Sequence, residues 1–204
     1  MGDQSCGADV ILTVYGRKSQ IAIEYAYRFR DRHPQGHVFW VYAANETRFT
    51  QAYRDVARKA QLPGWEDPQM DGCKLVCEWL DEMEGVPWLM ILDNADNAAN
   101  FLSTENGMAE RSANSIFMAG YLPTKFNHSK CLLITTRSRD VGEYLSQGQV
   151  CVNVGPLSNQ EAGDLLRAKV RVLHSSHVPE ADKLVEILGQ IPLAITQADR
   201  KSVV

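Results

Sequence analysis

With 204 residues, 45% of them hydrophobic, the chain has material for one substantial core, and its charges sum to only −4. That balance excludes the basic footprint of a nucleic-acid binder, and no run approaches the roughly 20 apolar residues needed to span a bilayer. Five cysteines (Cys6, Cys73, Cys77, Cys131, Cys151) without framework spacing exclude a disulfide scaffold; with no signal-peptide pattern, a cytoplasmic location is the default expectation.

The first element is a β-like run, Val10-Ile11-Leu12-Thr13-Val14-Tyr15, followed by Gly16. A helix is expected from Ser19 to about Arg32, with Ile21, Tyr25 and Phe29 on one face and Glu24 four residues before Arg28. Strand, turn, Lys18-Ser19, helix is the layout of a phosphate-binding loop. There, backbone amides and the helix N-terminus cradle phosphate, Lys reaches the β/γ oxygens and Ser ligates the metal. The full pattern G-x-x-x-x-G-K-[ST], anchored on Lys18, needs glycines at positions 12 and 17, where this chain has Leu12 and Arg17. Gly16 stands one place out of register. A side chain forced into such a curl costs on the order of 1–3 kcal/mol, roughly a tenfold to hundredfold loss of affinity. Weakened phosphate binding is therefore expected.

A strand at His37–Tyr42 and a helix at Glu46–Gln61 follow, then a loop from Leu62 through Pro68 and a helix at Cys73–Met83. Cys73 and Cys77 read as core residues sharing a face with Leu80, and Cys131 and Cys151 as small buried hydrophobes near strand starts. The acidic set Glu78, Asp81, Glu82 and Glu84 reads as a solvated helix end. The run Trp88-Leu89-Met90-Ile91-Leu92-Asp93 has the composition of a strand covered on both faces, its acid exposed at the carboxyl end of a sheet. That end faces the ligand crevice in open α/β folds, and an Asp there suits magnesium bridging phosphate oxygens. The plainer alternative is an Asp that merely opens a turn, Asn94-Ala95-Asp96.

A short helix near Asn97–Phe101 and a polar stretch at Ser103–Arg111 precede a further strand, Cys131–Thr136, which ends on Arg137. An Arg beside Asp93 would match phosphate oxygens with its planar fork; otherwise it is a surface residue closing a strand. A helix at Arg139–Leu145 and a strand at Val150–Val154 complete an alternation that predicts an α/β domain: a parallel sheet with helices on both faces. After Pro156 the pattern turns helical, with Asn159–Val170, Glu180–Leu188, and Gly189 and Pro192 at the corner into another helix. The expected division is a core of residues 1–155 and a partial helical subdomain of residues 156–204. His174 and His177 have no partners completing a metal site and read as loop residues.

In this order, Lys18-Ser19-Gln20-Ile21-Ala22, Leu89-Met90-Ile91-Leu92-Asp93-Asn94, Leu133-Ile134-Thr135-Thr136-Arg137 and Gly189-Gln190-Ile191-Pro192-Leu193-Ala194 resemble the NB-ARC branch of the STAND P-loop NTPases. The flavour is that of fungal NLR-like members carrying tetratricopeptide repeats, and the likeness runs from about Lys18 to Ala198. The resemblance implies a P-loop NTPase-like sheet followed by a partial ARC1-like helical subdomain. It implies a signalling switch that binds ADP at rest and ATP with Mg2+ when active, hydrolysing slowly at most. Carried over by position, Gly16, Lys18 and Gln20 belong to the phosphate-binding segment, Ser19 and Asp93 hold magnesium, Arg137 senses the γ-phosphate and Pro192 touches the base. Asn94 stands where many members have a second acid able to orient water, and an amide cannot accept that proton. Asp96 is a candidate substitute whose side chain would point differently, and no residue is assigned a catalytic role.

The chain ends soon after Ala198, without the family's lid, winged helix, effector or repeats, so the resemblance predicts a truncated or mis-spliced product. The alternative is a nucleotide-free module associating with intact relatives through the same core; an active phosphotransferase is disfavoured by Asn94 and Arg17. Neither a nucleic acid nor a membrane is an expected partner.

Overall fold

The computed structural model describes residues 10–14, 18–102, 118–127, 129–146, 151–155 and 157–169, with Lys183, Glu186 and Ile187. Gly16, Arg17, His174, His177, Pro192, the polar stretch 103–111 and most of the expected helix 180–188 lie outside these. The chain divides into two compact units, one of residues 1–13 and 18–153, the other of residues 14–17 and 154–204.

In the first unit, β1 (Val10–Val14), α1 (Lys18–Arg32), β2 (His37–Tyr42), α2 (Glu46–Lys59), α3 (Gly72–Glu82), β3 (Trp88–Asp93), α4 (Ala98–Phe101), β4 (Lys130–Thr136) and α5 (Arg139–Ser146) follow in order. With β5 (Cys151–Val154) they build a five-stranded sheet of order β2-β3-β4-β1-β5. The pairs β2–β3, β3–β4 and β4–β1 are all parallel. This is an α/β core with the parallel pairing that the alternation of elements predicted, consistent with the P-loop NTPase-like sheet that the resemblance implied.

Burial follows the sequence patterns. All six residues of β3 and all seven of β4 are buried, as expected of central strands read from continuous apolar runs. The outer strand β2 is half exposed, and Val38 and Trp40 alternate on its open face. On α2, Phe49, Tyr53 and Ala57 recur every four residues and are buried, while the Asn45 side chain caps the helix by accepting the Arg48 amide at 3.0 Å. On α3, Cys73, Val76 and Leu80 form the buried stripe, and Asp71 caps it by accepting the Cys73 and Lys74 amides.

Two expectations need correcting. Asp81 is not simply solvated: its carboxylate accepts the Thr124 amide and hydroxyl and the Lys125 amide at 2.8–3.0 Å, tying α3 to the approach to β4. A carboxylate in a loop-facing position finds free backbone donors that a composition reading does not register. Cys151 is exposed rather than buried, because β5 lies at the margin of the sheet with its residues open. Cys131 is buried as expected.

In the second unit, α6 (Asn159–Lys169) starts on a reciprocal cap. Ser158 Oγ accepts the Glu161 amide at 3.2 Å, and the Glu161 carboxylate accepts the Ser158 amide at 2.8 Å. Those bonds hold the Glu161 carboxyl below its usual value. Among the described residues, no helix is long and apolar enough to cross a membrane.

Candidate functional site

The parallel register brings three elements to one sheet edge. Tyr42 pairs with Asp93, and Leu92 with Ile134, so Asp93 and Thr135 come level at the carboxyl ends of β3 and β4. Leu12 and Thr13 of β1 pair with Thr135 and Thr136, and α1 opens at the same edge with Lys18 and Ser19 at its first turn. Carboxyl strand ends facing a helix N-terminus, with its unpaired amides and partial positive charge, are the usual setting for an anionic ligand.

Ser19 Oγ lies 2.9 and 3.1 Å from the two carboxylate oxygens of Asp93. The Thr135 hydroxyl donates to Asp93 Oδ1 at 2.7 Å and accepts the Asn94 amide at 2.9 Å. Asp93 is buried to 7% exposure, yet all its named partners are neutral hydroxyls. Hydroxyl and carboxylate oxygens side by side suit a hard divalent cation such as magnesium, which takes one or two protein ligands and keeps its remaining positions for water and phosphate.

Beyond Asp93 the chain turns sharply. Asn94 has φ +66°, a left-handed conformation that Asn tolerates better than most residues. The turn is stitched onto the end of β4: the Ala95 amide donates to the Thr135 carbonyl at 2.8 Å and the Thr136 hydroxyl to the Ala95 carbonyl at 2.7 Å. Asp96 is thereby aimed back at the strand ends. Its Oδ1 accepts Lys18 Nζ at 3.1 Å and the Arg137 amide at 2.6 Å, and its Oδ2 accepts Arg137 Nε at 2.6 Å.

Burial lowers the Lys18 pKa below the ordinary lysine value; Asp96 opposes that shift and the Arg137 charge adds to it. Burial alone would raise the Asp96 carboxyl, but the Arg137 amide and guanidinium, with Lys18, outweigh it and hold the group below the usual carboxylate value. Among the described residues, no three His, Cys, Asp or Glu side chains gather as a ready metal cluster.

Four of the residues named from sequence therefore meet in one cluster: Lys18, Ser19, Asp93 and Arg137. Gln20 is exposed at the next position of α1. Gly16 and Pro192 fall outside the described residues. Two participants were not assigned to the site from sequence, and Asp96 entered it only as a substitute for the missing second acid. Thr135 was read only as a polar strand end, and Tyr42 as the last residue of a strand; its hydroxyl accepts the Asn94 side-chain amide at 3.4 Å. The residue runs offered one signal, a Thr-Thr-Arg strand end facing an Asp-x-x-Asp strand end, which acquires meaning only when the two strands are known to be neighbours.

Leu12, where the glycine pattern needs its first glycine, lies in β1 in register with Thr135, within the strand expected over Val10–Tyr15.

No family profile matches the chain. It is 31% identical over 182 residues to a nucleotide-binding leucine-rich repeat (NLR)-like protein of the fungus Hyaloscypha variabilis, a match covering 89% of this chain and 18% of that protein. Among solved structures, a STAND protein with a tetratricopeptide repeat sensor from Pyrococcus horikoshii aligns with a TM-score of 0.47 and 17% identity, over 93% of this chain and 27% of that one. The Bacillus subtilis DNA clamp loader delta protein aligns with a TM-score of 0.38 and 13% identity, over 94% and 52%. The fold and its strand-end cluster define a P-loop NTPase-like module. Over most of its length the chain is similar to part of an NLR-like protein, consistent with the NB-ARC/STAND resemblance of its ordered motifs. It spans under a fifth of the length of its fungal relative.

Proposed function

We propose that the cluster binds the phosphates of an adenine nucleotide together with Mg2+, as the regulatory core of an NB-ARC-type signalling switch. The observation that carries this reading is Ser19 resting on both oxygens of Asp93, with the Lys18 ammonium one residue earlier at the mouth of α1. Two hard oxygen ligands beside a buried cation and a helix N-terminus match a metal-bridged phosphate. Bound magnesium would be held by Ser19 and Asp93 and would neutralise phosphate charge. Lys18 and Arg137 would supply the remaining positive charge. Hydrolysis is slow or nil in this reading, because the Asn94 side chain is an amide directed to Tyr42. The free thiols of Cys73 and Cys77 suit a cytoplasmic setting.

Calorimetric titration with ADP and ATP, with and without magnesium, tests the reading. Leu12 and Arg17 in place of the pattern's glycines lead us to expect weak binding, with Kd in the tens of micromolar or above, about −6 kcal/mol. Asp93→Ala should abolish the magnesium dependence, and Lys18→Ala should weaken binding about tenfold or more, the loss of roughly 1.4 kcal/mol. No heat from either nucleotide at millimolar concentration would refute it.

A second reading, a nucleotide-free module that associates with intact relatives, is favoured by Leu12 and Arg17, which stand where the phosphate-loop pattern needs glycines. It requires that the chain sediment with a relative's core and that nucleotide leave that association unchanged.

A further inference from the structure

We infer that Asp96 is an internal stand-in for phosphate: it occupies the two cations a nucleotide needs, and so sets both the affinity of the site and its choice between di- and triphosphate. The inference rests on the phosphate reading of the cluster. One carboxylate accepts Lys18 Nζ at 3.1 Å, the Arg137 amide at 2.6 Å and Arg137 Nε at 2.6 Å. A carboxylate and a phosphate compete for the same donors, since both present anionic oxygens that an ammonium or a guanidinium fork recognises.

The surroundings make the competition direct. The Asp96 side chain is only 16% exposed and that of Lys18 9%, so this pair is poorly screened by water. Arg137, at 64%, is the open end of the clasp. The turn that carries Asp96 is fixed by the Asn94 conformation and by its bonds to Thr135 and Thr136, so the backbone cannot simply retreat. An arriving phosphate must take the donors while the Asp96 carboxylate stays nearby as a like charge.

The two cations are not equally committed. Lys18 makes one bond to Asp96, whereas Arg137 makes two through its amide and Nε. A diphosphate that engages only Lys18 breaks one contact. A triphosphate whose terminal group must also win Arg137 breaks the guanidinium bond as well and brings more negative charge towards Asp96. Asp96 therefore penalises ATP more than ADP, and biases the resting site towards the diphosphate.

The test is calorimetric titration of the full chain and of Asp96→Asn with Mg-ADP, Mg-ATP and inorganic tripolyphosphate. Asp96→Asn should bind ATP and tripolyphosphate about tenfold tighter and ADP only about threefold tighter, the former equivalent to roughly 1.4 kcal/mol. The extra gain for ATP should vanish when Arg137→Ala is added. Unchanged or weaker binding of all three by Asp96→Asn, beside a parent that binds nucleotide through Lys18, overturns the clasp and leaves the nucleotide reading intact. Tighter tripolyphosphate binding without binding of ADP or ATP keeps the clasp and removes the adenine nucleotide. No binding of any anion to either protein overturns both.

Asp96→Ser and thermal unfolding of each variant guard against a misfolded mutant. The parent provides its own check, because the Nε–H signal of Arg137, assigned with Arg137→Lys, should shift when tripolyphosphate displaces Asp96. A signal that stays fixed at saturation overturns the proposal.

Discussion

The Thr135 hydroxyl on β4 donates to the Asp93 carboxylate on β3 at 2.7 Å while accepting the Asn94 amide at 2.9 Å. One oxygen thus orients the acid and anchors the turn that follows it. Thr135 is fully buried, so removing its hydroxyl takes the acceptor from the Asn94 amide and leaves Asp93 Oδ1 with Ser19 Oγ as its named donor. Thr135→Val, which keeps the shape, should lower unfolding stability by about 1–3 kcal/mol. Thr135→Ser should retain most of it. Urea denaturation with matched slopes distinguishes the pair, and a Val variant as stable as the parent would show that the hydroxyl contributes nothing.

Asn94 combines a conformational and a chemical consequence. At φ +66° an ordinary L-residue is strained by roughly 1–2 kcal/mol relative to the right-handed region, whereas Asn, Asp and Gly are tolerated. Its side-chain bond to Tyr42, at 3.4 Å, is too long to contribute much. Asn94→Ala should therefore destabilise the protein by about 1 kcal/mol or more, while Asn94→Gly should be close to neutral. Asn94→Asp should fold normally, and a phosphate-release assay should find no more than a trace of ATP turnover in it. Rapid turnover would mean that the acid missing at this position was the sole barrier to hydrolysis.

The central strands were legible from sequence because continuous apolar runs such as Trp88–Asp93 and Cys131–Thr136 have few alternatives to two-sided burial. The cluster was legible in part for the same reason: polar residues closing such strands must emerge at the sheet edge, which located Asp93 and Arg137. The pairing inside the cluster was not legible. Whether Arg137 faces solvent or Asp96 depends on the left-handed bend at Asn94 and on β4 lying next to β3, and neither follows from composition or period.

Lys130 supplies a prediction far from the cluster. Its buried ammonium donates to the Leu80 carbonyl at 3.3 Å and the Asp81 carbonyl at 2.9 Å, in the last turn of α3. Carbonyls there have no partner within the helix and carry its negative end, so a cation from the neighbouring strand is well placed. Lys130→Met fills similar volume without the charge, and should cost about 1.5–3 kcal/mol, the range for hydrogen bonds from charged groups. Lys125→Met, at an exposed side chain, should change stability by no more than about 0.5 kcal/mol. Equal effects of the two substitutions would remove Lys130 from any capping role.

Cys73 and Cys77 bear on both chemistry and pH. Burial, reinforced by Asp71 for Cys73 and by Asp81 and Glu78 for Cys77, pushes each thiol up to about 12. At pH 8 a thiol at 12 is ionised to roughly one part in ten thousand, against about a quarter for an unperturbed thiol near 8.5. Iodoacetamide should therefore modify exposed Cys151 before the buried or half-buried pair, with Cys73 and Cys77 at least about a hundredfold slower than after denaturant is added. The sign of the linked stability follows from the same shift. Between roughly pH 8.5 and 12 the unfolded chain releases these protons while the folded chain keeps them, so stability is fully present below 8.5 and falls as pH rises through that window. Cys73→Ala should flatten the alkaline decline in urea melts between pH 8 and 10. Rapid alkylation of Cys73 in the native protein, or a stability that does not fall with alkali, would show that its thiol ionises as freely folded as unfolded.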